Sequence, residues 1–164
     1  MLKQVQHDGK GEHMKRIVAI ATGILIASGA ATAAPRAAVE HLGRPNLNGQ
    51  ALPFSDAVRV GDTLYLSGQL GIGADGKLPD GITAQTKQAL DNVGAILKRA
   101  GLGYADVFHC TAMLKDMADW PAMNAVYVTY FPEGKRPARS AFGASGLALG
   151  GLIELECQAY AGKK

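Results

Sequence analysis

The chain is poor in the residues that build metal centres and nucleophile sites. It has two cysteines and four histidines in 164 residues, and only His41 and His109 of the histidines lie beyond residue 33. Neither has another His, Cys or carboxylate at the spacing of a metal motif, so no metal site is expected. Ser67, Ser140 and Ser145 have no base positioned beside them in the sequence, which argues against a serine nucleophile.

The two cysteines, Cys110 and Cys157, both fall in strand-like segments. Buried free thiols are the simplest expectation, because free cysteine is among the most buried residue types. An exported protein could instead pair them in a disulfide, and the sequence alone gives no distance between them.

Charge is absent from residues 17–34, which follow a short basic stretch (MKR, 14–16) and end near the small-residue sequence ATA at 31–33. Residues 14–33 are therefore predicted to be a cleaved signal peptide, and residues 1–13 an upstream extension. The mature protein would be periplasmic or secreted, with no stable membrane association after cleavage. The uncharged run of 18 residues is also at the short limit for a membrane span. An uncleaved N-terminal helix that anchors the protein in the membrane is the alternative.

The predicted mature protein, which begins at residue 34, also has no large excess of either charge. Four of the 17 basic and two of the 14 acidic residues precede residue 34, so 13 basic and 12 acidic residues remain, a formal net charge of +1. Such a balance gives no excess of basic residues for binding the phosphate backbone of nucleic acid, so no nucleic-acid partner is expected. The sequence GIGADG at 71–76 matches the dinucleotide-binding fingerprint, but KLP follows it instead of a helix start. It is predicted to be a flexible loop.

Patterning predicts one domain over residues 50–164, after a loose lead-in at 34–49 that is rich in proline and alanine. The first expected element is a β-hairpin over 57–68 with a Gly61-Asp62 turn, followed by a helix through Leu90, Val93 and Leu97 that stops at Gly101. A strand over 107–114 comes next, and then a second helix, capped by Asp119, with a buried stripe from Met123 to Phe131. The last two expected strands are 138–142 and 152–160. Trp120, Tyr127 and Phe131 are expected in the core.

This order, β-β-α-β-α-β-β, indicates an α+β domain with two helices on one face of a mixed sheet. The other face of the sheet would be exposed in a monomer, and its strands are apolar on both sides in places. Self-association is therefore expected.

Two charged residues close to the C-terminus suggest chemistry. Arg139 follows Pro137 at the start of a strand, and its planar fork of donors suits a small carboxylate. Glu154 lies on the later strand and can handle protons. If the strands bring the two together, the site combines an anion anchor with an acid. Each residue alone could instead form an ordinary surface ion pair.

Five short motifs follow one another along the chain: LYLSGQ at 64–69, QALDNV at 88–93, MNAVY at 123–127, PARS at 137–140 and IELE at 153–156. In this order they resemble the Rid (RidA/YjgF) family of enamine/imine deaminases. The resemblance runs from about residue 53 to residue 160. It implies a chorismate-mutase-like fold, a homotrimer with active sites in the clefts between subunits, and hydrolysis of 2-aminoacrylate and related imines to 2-ketoacids and ammonia without metal or organic cofactor.

The resemblance also implies site residues. Arg139 matches the arginine that binds the substrate carboxylate, and Glu154 matches the acid that positions water and moves protons. Ser67 and Asn124 match positions that line or support the cleft, and the backbone at Ala141 matches a segment that faces the ligand.

The chain departs from the family pattern at three places. Phe54 stands where many members have tyrosine, Ala141 stands where many have cysteine, and four glycines lie between residues 143 and 151. These departures bear on pocket shape and substrate range, while the anchor and the acid are retained. The predicted export separates the protein from the cytosolic enzymes that generate such imines. A non-catalytic periplasmic trimer that binds a small ligand or acts like a chaperone is therefore the alternative.

Overall fold

The structure is a computed structural model that describes residues 36–43 and 52–162. These residues belong to one unit of the chain, Pro35–Lys164. The predicted extension, the predicted signal peptide and most of the predicted lead-in lie outside the described residues. None of the helices in the described part is long and apolar enough to cross a membrane.

Within the described residues, the chain forms two α-helices and seven strands. Their bounds are β1 Val39–Leu42, β2 Ala57–Val60, β3 Thr63–Leu66, β4 Gln69–Leu70, α1 Gly81–Arg99, β5 Val107–Leu114, α2 Trp120–Tyr127, β6 Ala138–Gly143 and β7 Ile153–Tyr160. The strands form one mixed sheet in the order β1-β2-β3-β7-β5-β6, and β4 pairs with β7. Strands β5 and β6 are parallel, and the other neighbours are antiparallel.

The α+β class and the placement of both helices on one sheet face are confirmed. Leu90, Val93 and Leu97 of α1 are fully buried, as their spacing predicts, and pack with the inward-facing residues of the sheet. Gly101 has a φ of 74°, which glycine adopts readily, and it ends α1. The hairpin turn is also confirmed, with Gly61 at a φ of 56° between β2 and β3.

Strand β7 shows how the sheet separates a covered face from an open one. The residues of β7 that are buried beneath the helices are Ile153, Leu155, Cys157 and Ala159. The residues between them point to the other face, and they are Glu154, Glu156, Gln158 and Tyr160. Tyr65, Phe142 and Tyr160 on this open face are each 46–49% exposed, so the predicted uncovered face is present.

Three details differ from the sequence predictions. The segment predicted as a loose lead-in contains β1, an edge strand that pairs with β2. Helix α2 ends at Tyr127, although the apolar stripe continues into the turn that follows it. Asp119 occupies the N-cap position of α2 but makes no capping hydrogen bond. Asp116 accepts one instead from the Ala118 amide, at 2.9 Å, in the preceding turn.

The two cysteines form a disulfide between β5 and β7. Cys110 and Cys157 are partners in the register of the two strands, their Cα atoms are 4.1 Å apart, and both are fully buried. The expectation of free buried thiols is therefore wrong. It failed because the sequence did not show that the two strands are neighbours or that these positions are paired.

Candidate active site

Arg139 lies on the edge strand β6, on the face that the helices cover. Its guanidinium carbon is 4.4 Å from the ring centroid of Tyr127 and 5.9 Å from that of Trp120. One guanidinium nitrogen is 4.0 Å from the sulfur of Met123. Within the described part of the chain, Arg139 has no carboxylate partner. Aromatic rings therefore hold the cation in place, and apart from the weak contact with Met123 its hydrogen-bonding fork remains available for an anion.

A groove of about 280 Å³ opens beside this arginine. Its lining residues are Asn124, Tyr127, Val128, Arg136, Pro137 and Arg139. Asn124 and Tyr127 are three residues apart on α2, so they share one face of the helix. Ala141 lies two residues after Arg139 on β6 and points to the same covered face. The structure thus brings together Arg139 and Asn124 among the predicted site residues, with Ala141 nearby on the same strand.

Tyr127 was predicted only as a core residue, but it also lines this groove. It is 3% exposed, as expected for a core residue, and its ring also forms a cation–π contact with the Arg139 guanidinium. Burial raises the pKa of its hydroxyl to about 12, and the charge of Arg139 opposes that rise. The hydroxyl is therefore neutral at physiological pH. Trp120 was also predicted in the core and is instead 41% exposed beside Arg139.

Glu154 lies on β7 and points to the open face of the sheet. Its backbone pairs with Leu70 of β4 and Met113 of β5. Its carboxylate lies so close to Gly68 that a Cβ at that position would collide with it. Burial raises the pKa of the Glu154 carboxyl above its usual value, and the negative charge of Glu156 on the same face adds to the rise. A raised pKa makes a carboxyl better suited to both accept and return a proton during a reaction.

The remaining predicted residues lie at the Glu154 end of the sheet. Ser67 precedes Gly68, and its hydroxyl donates a hydrogen bond of 2.7 Å to the carbonyl of Ser55. Phe54 is the neighbour of Ser55 and is 54% exposed. The buried Asp56 carboxylate accepts a hydrogen bond of 2.7 Å from Arg99 and so holds this segment against α1.

Two side-chain amides, that of the half-buried Asn92 and that of the buried Gln69, fix the short strand that pairs with β7 at Glu154. The Asn92 side chain on α1 donates to the carbonyls of Leu70 and Ile72, at 2.9 and 3.0 Å. The Gln69 side chain donates to the carbonyls of Ser67 and Gly68, at 2.8 and 3.0 Å. The backbone around Glu154 is therefore held in a defined position before any ligand arrives.

Arg139 and Glu154 do not meet within one chain. Arg139 is level with Cys110, and Cys110 is level with Cys157, which points to the covered face. Glu154 is three residues from Cys157 and therefore points to the opposite face. The two residues are also separated by about 10 Å along the strands and about 10 Å across them, from standard strand spacings. The strands of a single chain therefore do not bring Arg139 and Glu154 together in one site.

The segment GIGADG forms a loop, as predicted. The Gly76 amide donates to the Gly73 carbonyl at 3.0 Å, and the Gly73 amide donates to the Lys77 carbonyl at 2.8 Å. Helix α1 begins only at Gly81, so no helix N-terminus lies directly behind these glycines. Among residues 36–43 and 52–162, no group of three or more His, Cys, Asp and Glu side chains could hold a metal ion.

Comparison with known proteins identifies the family. A family model described as Endoribonuclease L-PSP matches residues 48–161, more than half of the chain. The crystal structure of RidA from an Antarctic Psychrobacter is 34% identical, with a TM-score of 0.67, and the match covers 74% of this chain and 98% of that one. The chain belongs to the Rid (RidA/YjgF) family.

Other Rid proteins show the same extent of similarity. A goat protein named 2-iminobutanoate/2-iminopropanoate deaminase is 45% identical over 112 residues, which cover 67% of this chain and 81% of the relative. The YjgF gene product of Escherichia coli is 32% identical, with a TM-score of 0.67, over 74% of this chain and 98% of that one. The match covers 98% of each of the two solved structures and 81% of the goat protein, and the family model spans all of the predicted site residues.

Proposed function

We propose that this protein hydrolyses small 2-imino acids and their enamine tautomers, of the 2-iminopropanoate and 2-aminoacrylate type, to 2-ketoacids and ammonia. The observation that carries the proposal is the Arg139 guanidinium, which rests on an aromatic ring beside a groove without a carboxylate partner in the described chain. Such a cation favours a small carboxylate ligand. The names of relatives such as the goat deaminase support the same substrate class.

We also propose that the site is shared between neighbouring copies in a homotrimer. Arg139 and Glu154 point to opposite faces, so one chain supplies the anchor and the next supplies the acid. The exposed side chains of Tyr65, Phe142 and Tyr160 on the open face support burial of that face between copies. Strand β6, which carries Arg139, is at the sheet edge, where a second chain can approach it.

The mechanism follows from the chemistry of these groups. Arg139 binds the substrate carboxylate through two parallel hydrogen bonds, which orients the imine carbon in the cleft. Glu154 takes a proton from water as the water oxygen attacks the carbon of the protonated imine, and a carbinolamine forms. The protonated Glu154 then returns this proton to the nitrogen. As the carbon–nitrogen bond breaks and ammonia departs, the carbinolamine hydroxyl gives its proton to the Glu154 carboxylate, which passes it to solvent, and the 2-ketoacid remains. General acid–base catalysis of this kind contributes about 10²–10⁴ in rate.

The other site residues shape the cleft. Ser67 already donates its proton to Ser55, so its oxygen is available only as an acceptor. Phe54 adds an apolar wall without a hydroxyl, and Ala141 contributes its backbone without a thiol. The attacking water therefore depends on Glu154 for its proton transfer.

Ammonia release from 2-aminoacrylate tests the proposed function. The imine is generated in the assay from serine by a pyridoxal-phosphate dehydratase, and purified protein is expected to accelerate 2-ketoacid formation over the hydrolysis in buffer. Light scattering is expected to give the mass of three chains. Saturable binding of 2-oxobutanoate with no acceleration would favour the non-catalytic trimer. Suppression of protein aggregation with neither binding nor turnover would favour a chaperone role.

We further propose that the mature protein is exported to the periplasm or secreted. The disulfide between Cys110 and Cys157 supports this, because disulfides persist mainly in oxidising compartments. Fractionation of native cells is expected to place the protein outside the cytoplasm, with an intact mass that lacks residues 1–33. Recovery in the membrane fraction at full mass would support the anchor instead, and cytoplasmic recovery would contradict export.

A further inference from the structure

The groove beside Arg139 contains a second guanidinium that the deamination mechanism does not use. Arg136 and Arg139 both line it, and its other lining residues are neutral. Arg136 is exposed, and it forms no ion pair with a carboxylate in the described part of the chain. Two arginines thus face one groove of about 280 Å³ that has no acidic lining residue.

This arrangement favours an anion with two charged groups. Among the groove's own lining residues, a monocarboxylate on Arg139 neutralises one guanidinium and leaves the positive charge of Arg136 without a counter-charge. Each guanidinium presents its own planar fork, which suits a separate carboxylate. The volume is close to the lower end of small-molecule sites. The groove therefore fits a compact diacid better than a nucleotide or a peptide.

We propose that Arg136 forms a subsite for a second carboxylate, so that this protein prefers 2-imino dicarboxylates. The carboxylate next to the imine binds Arg139, and the distal carboxylate binds Arg136. The reaction that supplies such a substrate is the oxidation of the amino group of an acidic amino acid. This inference rests on the proposed function, because it assumes that the Arg139 groove holds the imine.

The test compares kcat/KM for 2-iminoglutarate and 2-iminopropanoate, generated from glutamate and alanine by amino-acid oxidases. The parent is expected to favour the dicarboxylic imine. Arg136→Gln is expected to lower that preference by about 10- to 100-fold, the range of a hydrogen bond to a charged group. Arg136→Lys retains the charge without the fork and should retain part of the preference. Lys135→Gln is the matched control, because Lys135 is the adjacent exposed cation and does not line the groove.

A binding measurement separates this inference from the proposed function. Calorimetry with the products is expected to show that Arg136→Gln weakens binding of 2-oxoglutarate by a similar factor and leaves 2-oxobutanoate far less affected. If 2-iminopropanoate is turned over but Arg136→Gln leaves the preference intact, the subsite is wrong and the proposed function stands. If no imine is turned over but 2-oxoglutarate binding depends on Arg136, the subsite stands and the proposed function is wrong. Thermal unfolding should be unchanged in all three variants, since neither Arg136 nor Lys135 forms an ion pair with another described residue.

Discussion

Arg139→Ala and Glu154→Gln are each expected to lower kcat/KM for imine hydrolysis by about 10²–10⁴, and yet to regain activity when they are refolded together. The first variant lacks the anchor and retains the acid, and the second has the opposite defect. Because the two side chains point to opposite faces of the sheet, the proposed site takes Arg139 from one copy and Glu154 from another. A mixed trimer can supply both. Arg139→Lys should also lose most activity, since lysine lacks the fork.

The size of the recovery follows from symmetry. In a ring of three with one site per contact, random mixing of equal amounts leaves about one site in four with both residues intact. The mixture is therefore expected to show about a quarter of parental activity, measured as ammonia release from a sample of confirmed trimer mass. Refolding Arg139→Ala with the double variant Arg139→Ala/Glu154→Gln is the matched control and should remain inactive. A properly trimeric mixture with no recovery would place both residues in a site within one chain.

The sequence predicts the elements of this fold better than it predicts the geometry of the site. Arg139 and Glu154 are 15 residues apart in the chain, and this separation does not determine their relative orientation. Strand β5 lies between β6 and β7, parallel to one and antiparallel to the other. The face that each residue occupies depends on both registers together. Periodicity within a single strand cannot supply that information.

The fold details that were missed have similar causes. Strand β1 is almost wholly exposed, so it has no buried alternation to detect, and only its hydrogen bonds to β2 make it a strand. The apolar residues beyond Tyr127 are buried by packing outside the helix. The ring of Tyr104 packs edge-on against those of Tyr130 and Phe131, with ring-centroid distances of 5.3 and 5.7 Å. The helix itself ends at Tyr127, where the Thr129 hydroxyl donates to the Val126 carbonyl at 2.7 Å and competes with helical hydrogen bonding.

Removal of the disulfide by Cys110→Ala/Cys157→Ala is expected to lower the free energy of unfolding by about 4 kcal/mol. The bond joins residues that are 47 apart in sequence, and closing a loop of that length restricts the unfolded chain by about this amount. For a domain of this size the melting temperature should fall by about 15 °C. Thermal unfolding followed by circular dichroism measures the difference against the oxidised parent.

The parent refolded in the presence of a reductant is the matched control, because it lacks the bond and retains both sulfur atoms. It should melt close to the double variant. Equal melting of the double variant and the oxidised parent would show that the bond does not stabilise the domain. The disulfide joins β7, which carries Glu154, to β5, which pairs with the Arg139 strand. Loss of the bond is therefore also expected to weaken the pairing of β5 with β7, and this pairing helps to position Arg139 and Glu154. A protein that depends on this bond reaches full stability only in an oxidising compartment, so a large stability loss would agree with the proposed export.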